Sequence, residues 1–292
     1  MGQRTIRAVV SIVAILLIGG GIAWVGSHGS VELGGWPLFV LCGVLAFGVN
    51  WIVFVPSYLA QTEHYFDLTG SLTYLSLILF ALVMNPVGDP RSFLLAGLVL
   101  LWAVRLGTFL FRRVKADGSD GRFDQLKPHF PTFLMVWTLQ GLWVFLTLAC
   151  VLAAMTSAES VPLGSFAVLG VLVFLFGWAI EVMADGQKRT FRSLPENRDR
   201  FIDTGLWSWS RHPNYFGEIT LWVGLALVAF PTLYGWRYFA LISPIFVFIL
   251  LTRISGIPLL TARGKKKWGE DPAYQAYLAR TSLLIPRPPR RD

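Results

Sequence analysis

"WSWSRHPNYFGEITLW", residues 207–222, passes from a polar knot directly into an apolar run. Pro213 ends whatever precedes it, and Asn214 is placed to begin the helix that follows. Asn214 and Glu218 stand four apart, so they share a helical face that continues through Leu221 and Trp222. Capping accounts for Asn214 but leaves Glu218 without a reason. The question is what medium this helix enters.

Composition answers it. Of 292 residues, 54% are apolar and 14% charged, with twelve tryptophans, whereas soluble domains carry about 25% charged residues. A helix needs about 20 mostly apolar residues to cross hydrocarbon. Runs near that length occur at 8–25, 36–58, 93–111 (interrupted by Arg105), 133–155, 163–183 (interrupted by Glu181) and 238–252. Shorter runs at 72–84 and 219–230 reach spanning length by recruiting the polar residues before them. The expected fold is all-α: a polytopic integral membrane protein with a seven-helix core and an extra N-terminal transmembrane helix over residues 1–30.

Lysine and arginine concentrate in cytoplasmic connections. Eight spans with the N-terminus inside put Arg4, Arg7, Arg112, Arg113, Lys115, Arg122, Lys127, the bases of 188–211 and those from Arg253 onward on that side. Arg91 and Arg237 are the exceptions. The same side should carry the functional site and the C-terminus. The net charge of +8 then reflects topology and anionic headgroups, and no nucleic-acid partner is expected. Cys42 and Cys150 lie in separate apolar runs without metal spacing and read as packed thiols. Arg4 and Arg7 before an apolar core resemble a signal peptide, but no small-residue cleavage site follows, so a retained anchor helix is expected. Without it the other seven spans should stand alone. The C-terminal "IPRPPRRD" (285–292) reads as a frayed tail.

Polar residues gather in three places. "QTEHYFDLTGSL" (61–72) carries Glu63, His64, Tyr65 and Asp67 with no lysine or arginine. Asp67 is either an ordinary helix cap or, with Glu63 and Tyr65, part of a cavity of proton donors and acceptors. In "EVMADGQKRTFR" (181–192), Glu181, Asp185, Lys188, Arg189 and Arg192 recur at spacings of three and four. That is either a salt-bridge ladder or a nucleotide face, with arginine forks on phosphate. Glu181 lies within a span, where ionisable groups face a cavity and a partner. Third, Arg253 ends the last span, ahead of the helix breaker Pro258 and a lysine cluster suited to an inner-leaflet anchor. No glycine-rich phosphate loop occurs, and His28, His64, His129 and His212 form no zinc set.

Through "DTGLWSWSRHPNYFGEI" (203–219), "RTSLLIPRPP" (280–289), "YFDLTGSLTYL" (65–75) and "TLQGLWV" (138–144), the chain resembles the membrane steroid 5α-reductase-like family, bacterial branch. The likeness covers nearly all of the chain after the first helix. The RHPxYxG element is shared with sterol reductases and isoprenylcysteine carboxyl methyltransferases. The resemblance implies a membrane reductase domain over 31–292 that binds NADPH from the cytoplasmic side. It implies cofactor contacts at Arg105, Glu181, Asp185, Arg189, Arg192, His212, Asn214, Tyr215, Glu218 and Arg253. The family's carbonyl-polarising tyrosine falls near Trp102, which cannot act as an acid, leaving Glu63, Tyr65 and Asp67 as catalytic candidates. The expected reaction is hydride transfer to the β-carbon of an enone in a steroid-like or isoprenoid-like substrate. The rivals are an S-adenosylmethionine-dependent methyltransferase and a non-catalytic lipid-binding or transport protein.

Overall fold

A computed structural model describes residues 2–117, 121 and 123–289; Arg122, counted above among the basic loop residues, lies outside them. The architecture is helical: α1 Gln3–Gly26, α2 Leu38–Leu59, α3 Phe66–Met84, α4 Pro90–Asp117, α5 Phe130–Met155, α6 Ser165–Ser193, the short α7 Leu206–Trp209, α8 Pro213–Ala229, α9 Ile242–Ile249, α10 Gly256–Trp268 and α11 Pro272–Arg280. Among the described residues eight helical stretches are long and apolar enough to cross a membrane. The protein is an integral, multi-pass membrane protein. Both short runs recruit their polar leaders, α3 starting at Phe66 and α8 at Pro213.

The chain forms two compact units, residues 1–167 with 228–243, and residues 168–227 with 244–292. In the first unit α5 is the central helix, with 89% of its apolar window buried against 17% for α1. Small residues let neighbours approach closely. A side chain at Gly19 would strike Phe47, and one at Gly26 would strike Phe39. Gly141 of α5 likewise admits the Ala46 carbonyl of α2. A two-residue hairpin (β1 Glu32–Leu33, β2 Trp36–Pro37) links α1 to α2, turning on Gly34 and Gly35 at positive φ.

The exceptional bases Arg91 and Arg237 are 1% and 0% exposed, and the chain's own backbone occupies them. Arg91 donates to the carbonyls of Val228 (2.5 Å), Pro162 (2.7 Å) and Val161 (3.2 Å). Arg237 donates to the Ala153 carbonyl and to Ser157 Oγ. The last carbonyls of a helix lack intrahelical donors, and Ala153 and Val228 close α5 and α8. The two guanidiniums are buried clasps for helix ends. Asn85, giving its amide to Met155 and Ser157, and Asp89, accepting from Ser160, complete the cluster.

In the second unit α6 and α8 touch backbone to backbone. A Cβ on Gly177 would lie 2.6 Å from Gly217 O, one on Gly217 2.6 Å from Gly177 O, and one on Gly224 2.7 Å from Gly170 O. The glycines repeat every seven residues on each helix, so one stripe meets the other. The last span departs from a plain helix. A 3-10 segment, Gly235–Leu241, leads into α9, then a π turn, Leu250–Ile254, and α10. Pro258 is not the stop expected of it: it sits in the first turn of α10, where a missing N–H costs nothing.

Candidate functional site

Glu63, Tyr65, Asp67 and Arg105 belong to the first unit, and the other candidates to the second. Glu63 is 7% exposed and accepts a 2.6 Å hydrogen bond from Lys127, whose ammonium also reaches Asp124 at 3.1 Å. That bond raises the Lys127 pKa and marks Glu63 as a carboxylate. The cation absent from 61–72 is thus supplied from the loop before α5. Tyr65 is 51% exposed. It holds the N-cap position of α3 without a side-chain cap, and Asp67 stands in the first turn, where a carboxylate suits the helix dipole. Arg105 is half-buried on α4, one turn beyond the buried Trp102, whose ring meets Tyr74 edge-on at 5.1 Å.

The second unit builds the denser site. The Gly177–Gly217 contact sets Gly217 against the Glu181 backbone, so close that a Cβ on Gly217 would lie 3.0 Å from the Glu181 Cα. Glu181 is 4% exposed. Asp185 and Lys188 follow on the same face of α6, half-buried, and Arg189 and Arg192 beyond them are exposed. Asn214 and Glu218 lie half-buried on the first turns of α8. Pro213, not Asn214, opens that helix, and Phe216 N–H bonds to the His212 carbonyl (3.1 Å). Asn214 is therefore not the cap it was expected to be, because the proline already has the fixed φ a first helical residue needs.

Between α6 and α8 the chain is tightly bound. Gln187 Oε1 accepts from Leu206 N–H (2.9 Å), starting α7, and Trp207 Nε1 donates to Ala184 O (3.0 Å). The Lys188 ammonium lies 4.5 Å over the Trp207 ring. Of the segment 285–292 expected to fray, residues 290–292 lie outside the described residues, but Arg287 and the residues just before the segment are laced to this stretch. Arg211 N–H donates to Ser282 O (2.8 Å), Ser210 Oγ to Leu284 O (2.7 Å) and Arg287 N–H to Trp209 O (3.0 Å). Tyr277 donates to Trp207 O (2.9 Å), and burial pushes its phenol pKa up, keeping it a donor. Backbone outside helices cannot satisfy its own polar groups, and Ser282, Leu284 and Arg287 satisfy theirs on residues 209–211.

His212 is 8% exposed and stacks on Tyr215 at 9° and 5.5 Å between centroids. Burial, then the positive charges of Lys188 and Arg211, lower its pKa to about 4, so it is neutral at neutral pH. Its Nδ1 has no partner. A Cβ on Gly256 would lie 2.8 Å from the Tyr215 ring and 2.6 Å from Leu251 O, so the π turn carrying the exposed Arg253 ends beside Tyr215. The buried imidazole thus has an unpartnered nitrogen close to the charges of Lys188 and Arg211. Among the described residues no three potential metal ligands cluster. Sequence reasoning missed Gln187 and Trp207, which hold the loop; the tryptophan-rich WSW before RHP was the available signal.

A family model described as "Protein of unknown function (DUF1295)" matches residues 53–281. An uncharacterized protein of Schizosaccharomyces pombe is 22% identical over 258 residues, covering 78% of this chain and 72% of the relative. The matched region contains every candidate residue.

Proposed function

We propose that this chain, which belongs to the DUF1295 family, is an NADPH-dependent reductase of a carbon–carbon double bond conjugated to a carbonyl. Its substrate would be a hydrophobic steroid-like or isoprenoid-like enone. The observation that supports this most is the α6–α8 contact, which sets buried Glu181 beside the turn carrying Asn214 and Glu218. Membrane helices seldom bury such groups without a functional partner. The bound nicotinamide would supply hydride to the β-carbon. Asn214 and Glu218 would hold its amide end, and Glu181 and Asp185 would orient the sugar hydroxyls. A group among Glu63, Tyr65 and Asp67 would hydrogen-bond the substrate carbonyl, where enolate charge develops. The proton added at the α-carbon comes from water. The basic ends of the helices face the cytoplasm in this reading.

The test pairs binding with label transfer. Asn214→Ala and Glu218→Ala should each weaken NADPH binding up to about tenfold, the loss of one neutral hydrogen bond, with more where the partner is charged. Deuterium carried on the nicotinamide C4 should appear at the β-carbon of a reduced enone. Methyl transfer from S-adenosylmethionine, with no label transfer, hands the site to the methyltransferase reading. Reduced thermal stability with unchanged affinity makes Asn214 and Glu218 packing residues only.

A further inference from the structure

Among the second unit's nitrogens without an acceptor, three belong to basic side chains. The Lys188 ammonium makes no hydrogen bond or ion pair among the described residues; it lies over the Trp207 ring, within the field of Asp185 and Arg192. Arg211 Nε and His212 Nδ1 are buried without a partner. The surroundings fix the frame that carries them. Trp207 is pinned by its bond to Ala184, the Arg211 backbone by Ser282, and the His212 ring by Tyr215. His212 N–H also bonds to Ser210 Oγ at 3.1 Å. Arg189 and Arg192, by contrast, stand exposed at the end of α6.

An unmet buried donor costs about 1–3 kcal/mol, and the group that relieves several at once is one with several acceptor oxygens and negative charge. We propose that Lys188, Arg211 and His212 form the seat of a phosphoryl group, and that this seat, rather than Arg189 and Arg192, selects the 2′-phosphorylated dinucleotide. This rests on the nucleotide reading above. Lys188 and Arg211 supply two positive charges, and neutral His212 supplies a hydrogen bond without adding a third. Trp207 closes one side of the ammonium, leaving the other for an anion.

The full-length protein in detergent is titrated with adenosine 2′,5′-bisphosphate and with adenosine 5′-monophosphate, read by tryptophan fluorescence. The bisphosphate should bind about ten- to a hundredfold tighter, the range of a charge-assisted hydrogen bond. Lys188→Met and Arg211→Ala should bring that ratio towards one while sparing the monophosphate, and Lys188→Arg should restore part of it. A ratio untouched by Lys188→Met, or lost only in Arg189→Ala or Arg192→Ala, overturns the seat. If neither adenosine ligand nor NADPH binds, the nucleotide reading fails, and inorganic phosphate decides on the seat alone. Thermal protection of the wild type that Lys188→Met loses keeps it as an anion site, and no protection removes it. Displacement of the bisphosphate by phosphatidic acid micelles, with loss of the 2′-phosphate preference, makes it a lipid headgroup site and overturns the proposal.

Discussion

The two units bury basic residues in opposite ways. Arg91 and Arg237 in the first give their terminal nitrogens to the chain's own carbonyls and to Ser157, and only the Nε of each is unmet. Lys188 and Arg211 in the second have side-chain donors with nothing to bond. Arg91 and Arg237 break the rule that bases gather on one side of the membrane and Lys188 and Arg211 obey it, but the rule says nothing of what either pair bonds to. The accounting of hydrogen bonds can: a cation whose terminal nitrogens are taken by backbone carbonyls belongs to the architecture, and one whose side chain finds no acceptor is open to a ligand, as proposed above.

The largest effect should come from the spent pair. Arg237→Ala strips buried carbonyls of their donor and leaves a cavity, costing about 3 kcal/mol or more. A thermal melt in detergent should show it, and a small loss would break the contrast. Next is the acid limb. His212 titrates near 6.5 when unfolded and near 4 when folded, so the unfolded chain binds more protons between those values. Stability is complete above about pH 6.5 and falls as pH drops towards 4, on the order of 3 kcal/mol. His212→Phe should flatten that limb, and an unchanged limb assigns it elsewhere. Gly217→Ala should cost about 1–3 kcal/mol by overpacking and weaken NADPH binding with it, because the new methyl meets the Glu181 backbone. Intact binding would separate the packing stripe from the site. Smallest is Lys127→Ala, at about 1 kcal/mol for a partly exposed ion pair, measured by chemical denaturation of the first unit's signal.

Much of this was legible. Lipid excludes charge over a fixed length, so eight spans could be counted, and α3 and α8 began in polar residues as the run lengths required. Glu181 was visible as an ionisable group inside a span. What stayed hidden depends on pairs distant in sequence. Gly170 and Gly177 meet Gly217 and Gly224 only across two helices, and nothing local reports it. Lys188 was legible on the polar face of 181–192, but its contact with Trp207, nineteen residues later, was not. Arg91 and Arg237 looked like loop residues because carbonyl partners leave no mark on the sequence. The tail looked unstructured for the same reason, since its bonds run through backbone atoms that every residue has.

That tail also sets an order of assembly. The ribosome makes residues 206–212 well before residues 282–287, yet the backbone of the first stretch is completed by the second. A nascent chain already threaded into the bilayer therefore carries an unfinished loop until residues 282–287 emerge. Premature termination past α11 would leave every span in place and that loop open, a defect for quality-control proteases to find at the membrane surface.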